Sequence, residues 1–265
     1  MTRVLSGAVL ISLAVGLVWF APPLGLLAAG VIVAMAGAQE CVHLARTRGL
    51  DIAPAATLAL AGLTVVAVAG GAAGLAPFDL SIVLMAGVVA LGALALGRWR
   101  GDEHALAAVA VSVFPALYLG LPLGALVVIH AERGPGPVFL LMLTVIVSDT
   151  AQYYTGRAFG RRRLAPAISP GKTIEGAIGG FVFGTAMLLI GAEWWLPETA
   201  IWLRVVAGVA VVTLGITGDL FESMLKRSAG VKDSSALIPG HGGVLDRIDA
   251  LLFAAPAYYM LIARS

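Results

Sequence analysis

The sequence predicts an all-α polytopic integral membrane protein with about nine transmembrane helices. Of its 265 residues 60% are hydrophobic and only 12% are charged, whereas soluble domains carry about 25% charged residues. Apolar runs recur along the whole chain, separated by Pro, Gly and charged residues. Helical runs of roughly 15 to 25 residues cross a hydrocarbon core of about 30 Å. The chain is therefore expected to pass through the membrane many times.

Nine apolar runs are assigned as transmembrane helices. The first is expected to be a retained helix, because Ala21-Pro22-Pro23 is typical of a tight loop and not of a signal-peptide cleavage site. Pro115 and Pro122 remove backbone donors from the fifth run, so we expect this helix to be kinked or split. The predicted spans are residues 4–20, 24–38, 54–76, 80–96, 105–129, 137–154, 174–195, 201–217 and 248–262.

Basic residues predict the orientation, because cytoplasmic loops collect Lys and Arg. With nine spans, a cytoplasmic N-terminus and a C-terminus outside, 14 of the 17 basic residues fall on the cytoplasmic side. This basic face would attract anionic lipid headgroups or nucleotides. The 14 residues are Arg3, Arg46, Arg48, Arg98, Arg100, Arg157, Arg161, Arg162, Arg163, Lys172, Lys226, Arg227, Lys232 and Arg247.

Charge and motif content divide the chain near residue 136. Residues 1–136, with about five spans, have no polar pattern that indicates chemistry and are interpreted as scaffold. Residues 137–265 are interpreted as a catalytic region with two cytoplasmic motif segments, 148–176 and 218–249. In the second segment a helix continuing from the eighth span would place Asp219, Glu222, Ser223 and Lys226 on one face. Gly230 is expected to end that helix.

Four carboxylates, those of Asp149, Asp219, Asp246 and Asp249, are expected on the cytoplasmic side. Mg²⁺ is commonly held by one or two carboxylates together with phosphate oxygens and water, so these residues indicate a magnesium-dependent site. A structural alternative is that the charges neutralise one another at the surface. For Asp149, that alternative is pairing with Arg157 or capping by Thr150 and Tyr153.

Basic residues and glycines near these carboxylates indicate phosphate binding. Lys172 precedes Thr173, the expected N-cap of the seventh helix, and a lysine beside helix N–H groups suits a phosphate, although a topological anchor is an alternative. Glycines 176, 180 and 184 form a stripe that allows close helix packing. The remaining candidates for phosphate contacts are Lys226, Arg227, Lys232, Arg247 and the turn His241-Gly242-Gly243.

These residues together predict a cation-assisted reaction on a phosphorylated or nucleotide substrate at the cytoplasmic membrane interface. The sequence contains no Walker loop, Rossmann fingerprint, serine elbow or zinc-binding histidine pair. No nucleic-acid partner is expected. An anionic-solute transporter is a weaker alternative, because transporter sites usually lie near the bilayer midplane on interrupted helices.

Two blocks of sequence, residues 148–176 and 223–249, contain most of the motif residues. The second block has Ser223, Lys226-Arg227, Lys232-Asp233, residues 239–243, Asp246-Arg247 and Asp249 at the spacing of a C-terminal signature. This signature resembles that of the bacterial phosphatidate cytidylyltransferases, also called CDP-diacylglycerol synthases. Residues 148–176 are similar to a second block of the same family, with departures at Gln152 and Gly171.

The resemblance implies transfer of CMP from CTP to phosphatidic acid, with Mg²⁺, in a homodimer of the cell inner membrane whose active site faces the cytoplasm. A second, monovalent cation is an open expectation. The implied metal ligands are Asp219 and Asp246, with Asp149 as a further ligand or orienting group, and Lys172 would act on a phosphate. The implied alternatives are a CTP-dependent enzyme acting on another lipid phosphate, such as an ether lipid, or on a polyprenol.

Overall fold

Helices form most of the chain in a computed structural model that describes residues 2–101, 103–235 and 242–262. Each of the nine predicted apolar runs overlaps a helix. In chain order the elements are α1 (Thr2–Phe20), α2 (Pro23–Arg46), α3 (Pro54–Ala69), α4 (Leu80–Arg98), α5 (Ala105–Pro115), a π-helical turn (Ala116–Gly120), α6 (Leu121–Arg133), α7 (Pro135–Phe159), β1 (Arg163–Ala165), β2 (Ser169–Thr173), α8 (Ile174–Trp195), α9 (Ile201–Ser228) and α10 (Leu245–Ile262).

Six helical stretches in the described part of the chain are long and apolar enough to cross a membrane, counting α5 to α6 as one. The others are α2, α4, α7, α8 and α9, while residues 11–20 and α3 form shorter apolar helices. The all-α membrane fold is therefore confirmed. The count of nine crossings and the orientation of the termini stay predictions.

The predicted interruption of the fifth apolar run is confirmed. A π-helical turn over Ala116–Gly120 follows Pro115, and α6 then continues through Pro122. A proline cannot donate to the preceding turn, and a locally wider helix accommodates the missing hydrogen bond. The hydrogen-bond pattern of the helix changes at this turn, but the helix is not divided into two separate pieces.

A small antiparallel hairpin is the element that the all-α interpretation did not include. Strands β1 and β2 pair Arg163 with Thr173 and Ala165 with Ser169. The Ile174 N–H also donates to the Arg162 carbonyl at 2.9 Å. Strands of three and five residues are too short to show a readable alternation of apolar and polar residues, so sequence periodicity gave no signal here.

The chain divides into two compact units, and the first comprises Met1–Glu132 with Ser228–Arg247. Its core includes Val42, Ala45 and Ile52 in one cluster, and a second cluster around Leu60 and Leu91. The division after residue 132 lies close to the predicted boundary near 136. However, the stretch 228–247, which the sequence analysis assigned to the C-terminal region, is grouped with the first unit.

The second unit comprises Arg133–Arg227 with Ile248–Ser265. In it α7 and α8 pack closely because the predicted glycine stripe is present: a Cβ on Gly180 would lie 2.6 Å from Gln152 Cγ, and one on Gly184 would lie 2.9 Å from Ser148 Cβ. The Tyr258 hydroxyl of α10 donates to the Pro137 carbonyl at 3.1 Å. This packing fixes the ends of α7 and α8 that carry motif residues.

Candidate active site

A cleft of about 550 Å³ in the second unit contains three of the predicted catalytic residues. Asp149, Lys172 and Asp219 all line it. Lys172 Nζ lies 2.5 Å from Asp219 Oδ2, and their side chains are 20% and 30% exposed. Residues 23 to 70 positions apart in the chain thus meet, one from α7, one from β2 and one from α9. The cleft joins motif segment 148–176 to the beginning of segment 218–249.

Lys172 is placed by the junction between the hairpin and α8. Thr173 caps α8, accepting a hydrogen bond from the Gly176 N–H at 3.1 Å, so the predicted N-cap is confirmed. The Glu175 carboxylate accepts from the backbone N–H groups of Arg161 and Arg162 at 3.0 and 3.2 Å. These contacts tie the hairpin to the first turn of α8. The Lys172 ammonium therefore stands beside a helix N-terminus, an arrangement that suits phosphate oxygens.

Asp149 on α7 is oriented by a neighbour and not by an ion pair with Arg157. Gln152 Nε2 donates to Asp149 Oδ1 at 3.0 Å, whereas Arg157 donates to the Tyr153 hydroxyl at 3.2 Å. The structural alternative of an Asp149–Arg157 pair is therefore wrong. Gln152, one of the two departures from the family pattern, directly contacts a predicted catalytic residue.

Asp249 at the beginning of α10 belongs to the same group of charges. It is close enough to interact electrostatically with Asp219, Asp149 and Lys172. Gly218 permits this approach, because a Cβ there would collide with the Asp249 backbone carbonyl. One lysine and three carboxylates therefore share this part of the second unit.

The polar face predicted for the end of α9 is confirmed. Ser223 Oγ lies 3.5 Å from Asp219 Oδ1, and Lys226 forms an ion pair with Glu222. The Glu222 side chain is 1% exposed and that of Lys226 is 11% exposed, so this lysine neutralises a buried carboxylate. Gly230 follows the helix with a φ of 75°, as expected of a residue that ends it. Phosphate binding by Lys226 stays a prediction.

The other predicted phosphate contacts are distributed over both units. Arg227 is exposed in the second unit, and Lys232 and Arg247 are exposed in the first. Gly242 has a φ of 78°, a left-handed conformation suited to glycine. His241 lies outside the described residues. The phosphate contacts of all these residues stay predictions.

Asp246, in the first unit, holds a loop together. Its Oδ2 atom accepts hydrogen bonds from the Ser234 N–H at 3.1 Å, the Ser234 hydroxyl at 2.8 Å and the Gly243 N–H at 2.8 Å. Three donors on one oxygen leave that atom poorly suited to a cation. The role of Asp246 as a metal ligand stays a prediction, whereas its role in shaping the loop is visible.

Glu40 on α2 is a residue that the sequence analysis missed. It is 3% exposed and accepts hydrogen bonds from the Val244 and Leu245 N–H groups at 2.8 and 2.9 Å. The signal was available: a single acidic residue lies in the 24-residue apolar helix α2. A charged side chain within a membrane helix is costly and indicates a functional role. We applied that reasoning to Asp149 but interpreted residues 1–136 as scaffold.

Two carboxylates in the cleft, those of Asp149 and Asp219, suit Mg²⁺. Within the described residues, no three His, Cys, Asp or Glu side chains are grouped as a metal site. Mg²⁺ in phosphate-processing sites is held by one or two carboxylates together with substrate phosphates and water. The donor set of the cleft therefore fits this ion when a phosphate-bearing substrate supplies further oxygens.

A second, apolar cleft of about 500 Å³ runs along another face of α7. Its lining includes Val147, Ala151, Tyr154 and Phe159 of α7 and Phe183 of α8. Tyr154, Phe159 and Phe183 are more than half exposed. The second unit thus combines a charged cleft and an apolar one on the same helix.

Comparison with known proteins identifies the family. The family model described as the cytidylyltransferase family matches residues 1–264. The chain belongs to this family. A phosphatidate cytidylyltransferase of Haemophilus influenzae is 47% identical over 129 residues, which are 46% of this chain and 44% of that protein.

Two further phosphatidate cytidylyltransferases match over a longer stretch. A phosphatidate cytidylyltransferase of Pseudomonas aeruginosa is 39% identical over 196 residues, 67% of this chain and 70% of that protein. One of Thermotoga maritima is 37% identical over 187 residues, 69% of this chain and 68% of that protein. The matched part of the chain spans about half the length of the Haemophilus influenzae and Mycobacterium bovis relatives, at 44% and 54%.

Proposed function

We propose that the protein transfers CMP from CTP to phosphatidic acid, forming CDP-diacylglycerol and pyrophosphate. The observation that carries this proposal is the cleft where Lys172 pairs with Asp219 beside Asp149. It combines a cation, a helix N-terminus and carboxylates, the groups that a nucleoside triphosphate and its counter-ion require. The names of relatives in the cytidylyltransferase family support the choice of nucleotide and lipid.

The residues of the cleft would act by positioning and by charge. A phosphate oxygen of the lipid attacks the α-phosphorus of CTP, the new P–O bond forms, and the bond to the β-phosphate breaks to release pyrophosphate. Lys172 and the N–H groups of the first turn of α8 would hold phosphate oxygens as negative charge shifts to the leaving group. No strong base is needed, because a phosphate monoester is largely ionised near neutral pH.

Asp149 and Asp219 are the proposed ligands of Mg²⁺ in this cleft. When bound, Mg²⁺ supplies charge neutralisation of the triphosphate. Gln152 would keep the Asp149 carboxylate turned toward the cleft, since it donates to Oδ1. Lys172 would exchange its contact with Asp219 for a substrate phosphate. This exchange would release a carboxylate oxygen for the cation.

The membrane setting supports a lipid substrate. The apolar cleft along α7 offers a place for acyl chains beside a charged cleft suited to the phosphates. We propose nine crossings with the N-terminus in the cytoplasm and the C-terminus outside, on the basis of 14 basic residues on one side. In this orientation the cleft faces the cytoplasm, where CTP is available. The cell inner membrane and a homodimer are parts of the same proposal.

The test is a reconstituted reaction with the purified full chain in detergent. With CTP, phosphatidic acid and Mg²⁺, we expect stoichiometric release of pyrophosphate and formation of CDP-diacylglycerol, both lost when the lipid or Mg²⁺ is omitted. ATP and dCTP serve as nucleotide comparators. An absence of CTP-dependent release in protein that is folded and monodisperse would refute the proposal.

An ether-lipid phosphate and a polyprenol test the nearest alternatives in the same assay. A preference for the ether-lipid phosphate would assign the same chemistry to a different lipid. With a polyprenol as acceptor, CTP would be converted to CDP instead of releasing pyrophosphate, so the nucleotide product separates the two reactions. Transport of an anionic solute is the remaining alternative, and it would give neither product.

A further inference from the structure

Glu40 forms a buried clamp on the loop between α9 and α10. Besides the Val244 and Leu245 N–H groups, its carboxylate accepts from the Ser235 hydroxyl at 2.6 Å, and it lies 3.0 Å from the Ser234 hydroxyl, whose one hydrogen is shared with Asp246. These contacts come from two stretches, one on each side of residues 236–241. A single side chain of α2 therefore holds the stretches on both sides of residues 236–241 within the first unit.

The clamp is tightly packed around Gly243. The Ser234 hydroxyl is within hydrogen-bond distance of both Glu40 and Asp246. A Cβ added to Gly243 would collide with the Ser234 hydroxyl and with both oxygens of the Glu40 carboxylate. Gly243, which matches a glycine of the family signature, is thus required by the clamp itself. The site holds no room for a larger residue.

The free-energy cost of burying a carboxylate at this position must be offset by other interactions. Burial of an isolated charge is strongly unfavourable, and helix α2 gains nothing from it, since an apolar residue would serve better in a membrane helix. The hydrogen bonds from Ser235, Val244 and Leu245 offset the cost only while the loop keeps this arrangement. The Glu40 carboxylate therefore favours one conformation of the loop that leads into α10.

We propose that Glu40 is a positioning residue for the CMP transfer, holding Ser234, Ser235 and the first turn of α10, the helix that carries Asp249. The inference rests on the proposed function and extends it to a residue of the apolar N-terminal helices. Glu40 acts through the loop and not on the substrate. Its loss should therefore change turnover more than the affinity for CTP.

The test compares Glu40→Gln with the wild-type chain. Glutamine has the same shape, but it lacks the charge and turns an N–H₂ group toward N–H donors. We expect kcat per folded protein to fall at least about tenfold, because small misplacements of catalytic groups have effects of this size. The KM for CTP should change less than about threefold. Hydrogen exchange should show faster exchange of the Val244 and Leu245 amides.

His130→Leu is the matched control in the same unit. It removes another buried hydrogen bond, from the His130 ring to the Val18 carbonyl at 2.9 Å, and should lower the thermal midpoint while kcat per folded protein stays unchanged. Glu40→Asp keeps the charge but shortens the side chain, so its kcat should lie between those of wild type and Glu40→Gln.

The outcomes separate this inference from the proposed function. If the wild-type chain turns over CTP and Glu40→Gln keeps the wild-type kcat, the positioning role is refuted and the proposed function stands. If the wild-type chain releases no pyrophosphate, the proposed function fails and the catalytic role of Glu40 fails with it. In that case, the clamp is tested by hydrogen exchange alone. It would be refuted if the Val244 and Leu245 amides exchanged at the same rate in Glu40→Gln as in the wild-type chain.

Discussion

Carboxylates serve two different purposes in the two units. In the second unit, Asp149 and Asp219 line a cleft, and Asp219 remains 30% exposed beside Lys172. In the first unit, Glu40 is 3% exposed, and both of its oxygens accept hydrogen bonds from the loop and from the first residue of α10. The first arrangement leaves oxygens accessible to a ligand, whereas the second uses them to hold the backbone.

This contrast shows that residue type and cytoplasmic location are not enough to identify a ligand site. Asp246 lies in the family signature and was predicted as a metal ligand, yet one of its oxygens accepts three hydrogen bonds within the loop. Glu40 lies outside both motif segments, and both of its carboxylate oxygens accept hydrogen bonds. The accessible oxygens, and not the charge alone, distinguish a binding carboxylate from a structural one.

The largest effect is expected from Asp219→Asn. The substitution keeps the size of the side chain and removes its charge, so it should lower kcat by roughly 100-fold or more, the range for loss of a group that stabilises transition-state charge. Pyrophosphate release per folded protein measures this. Asp79→Asn is the control, since Asp79 caps α4 through Ser81 and should leave kcat unchanged. A near-wild-type rate for Asp219→Asn would place Asp219 with the structural carboxylates.

Lys226→Met tests a residue that could belong to either class. It removes the lysine of the ion pair with the buried Glu222 carboxylate, which should lower stability by about 3 kcal/mol. The double variant Glu222→Gln/Lys226→Met removes both charges and should recover most of that loss in thermal unfolding. If the double variant also recovers full activity, Lys226 is a structural partner and not a phosphate ligand.

Lys172→Met should act on substrate binding. The variant loses a charge-assisted contact of about 1.5 to 3 kcal/mol, so kcat/KM for CTP should fall about 10- to 100-fold. Lys172→Arg keeps the charge and should recover part of the loss. Steady-state kinetics over a range of CTP concentrations measures both. An unchanged kcat/KM in Lys172→Met would mean that this lysine is a topological anchor.

The smallest effect is expected from Gly180→Ala in the glycine stripe. The added Cβ would lie 2.6 Å from Gln152 Cγ, which should cost about 1 to 3 kcal/mol of stability. Because Gln152 orients Asp149, turnover should also fall moderately. Gly92→Ala is the control, since nothing lies within 4 Å of its Cβ position. The measurement is the thermal midpoint of unfolding in detergent. Equal midpoints for the two variants would refute close packing of α7 against α8.

Much of the helical architecture was predictable from local sequence. Apolar length located the helices, Thr173 was recognised as the N-cap of α8, and the spacing of Asp219, Glu222, Ser223 and Lys226 predicted one polar face. These predictions depend on contacts within one helix or one turn, which neighbouring residues determine. The hairpin β1–β2 was missed because its strands are too short for a periodic signal.

Side-chain partners across distant segments were not predictable in the same way. Asp149 was paired in one alternative with Arg157, a residue two turns along its own helix, but the structure gives it Gln152 and gives Arg157 the Tyr153 hydroxyl. The Lys172–Asp219 pair joins residues 47 positions apart. Such pairs depend on how helices pack, which no single segment encodes.

Composition and motif residues alone were sufficient to predict a membrane protein, its helical segments and a phosphate-handling set of charged residues, because hydrophobic length and local spacing act within short stretches of chain. The tertiary structure was needed to divide the carboxylates into accessible and saturated ones. Glu40 and the signature loop are about 200 residues apart, and only folding brings them into contact. Burial and hydrogen-bond partners are properties of that packing, and they decide what each charge can do.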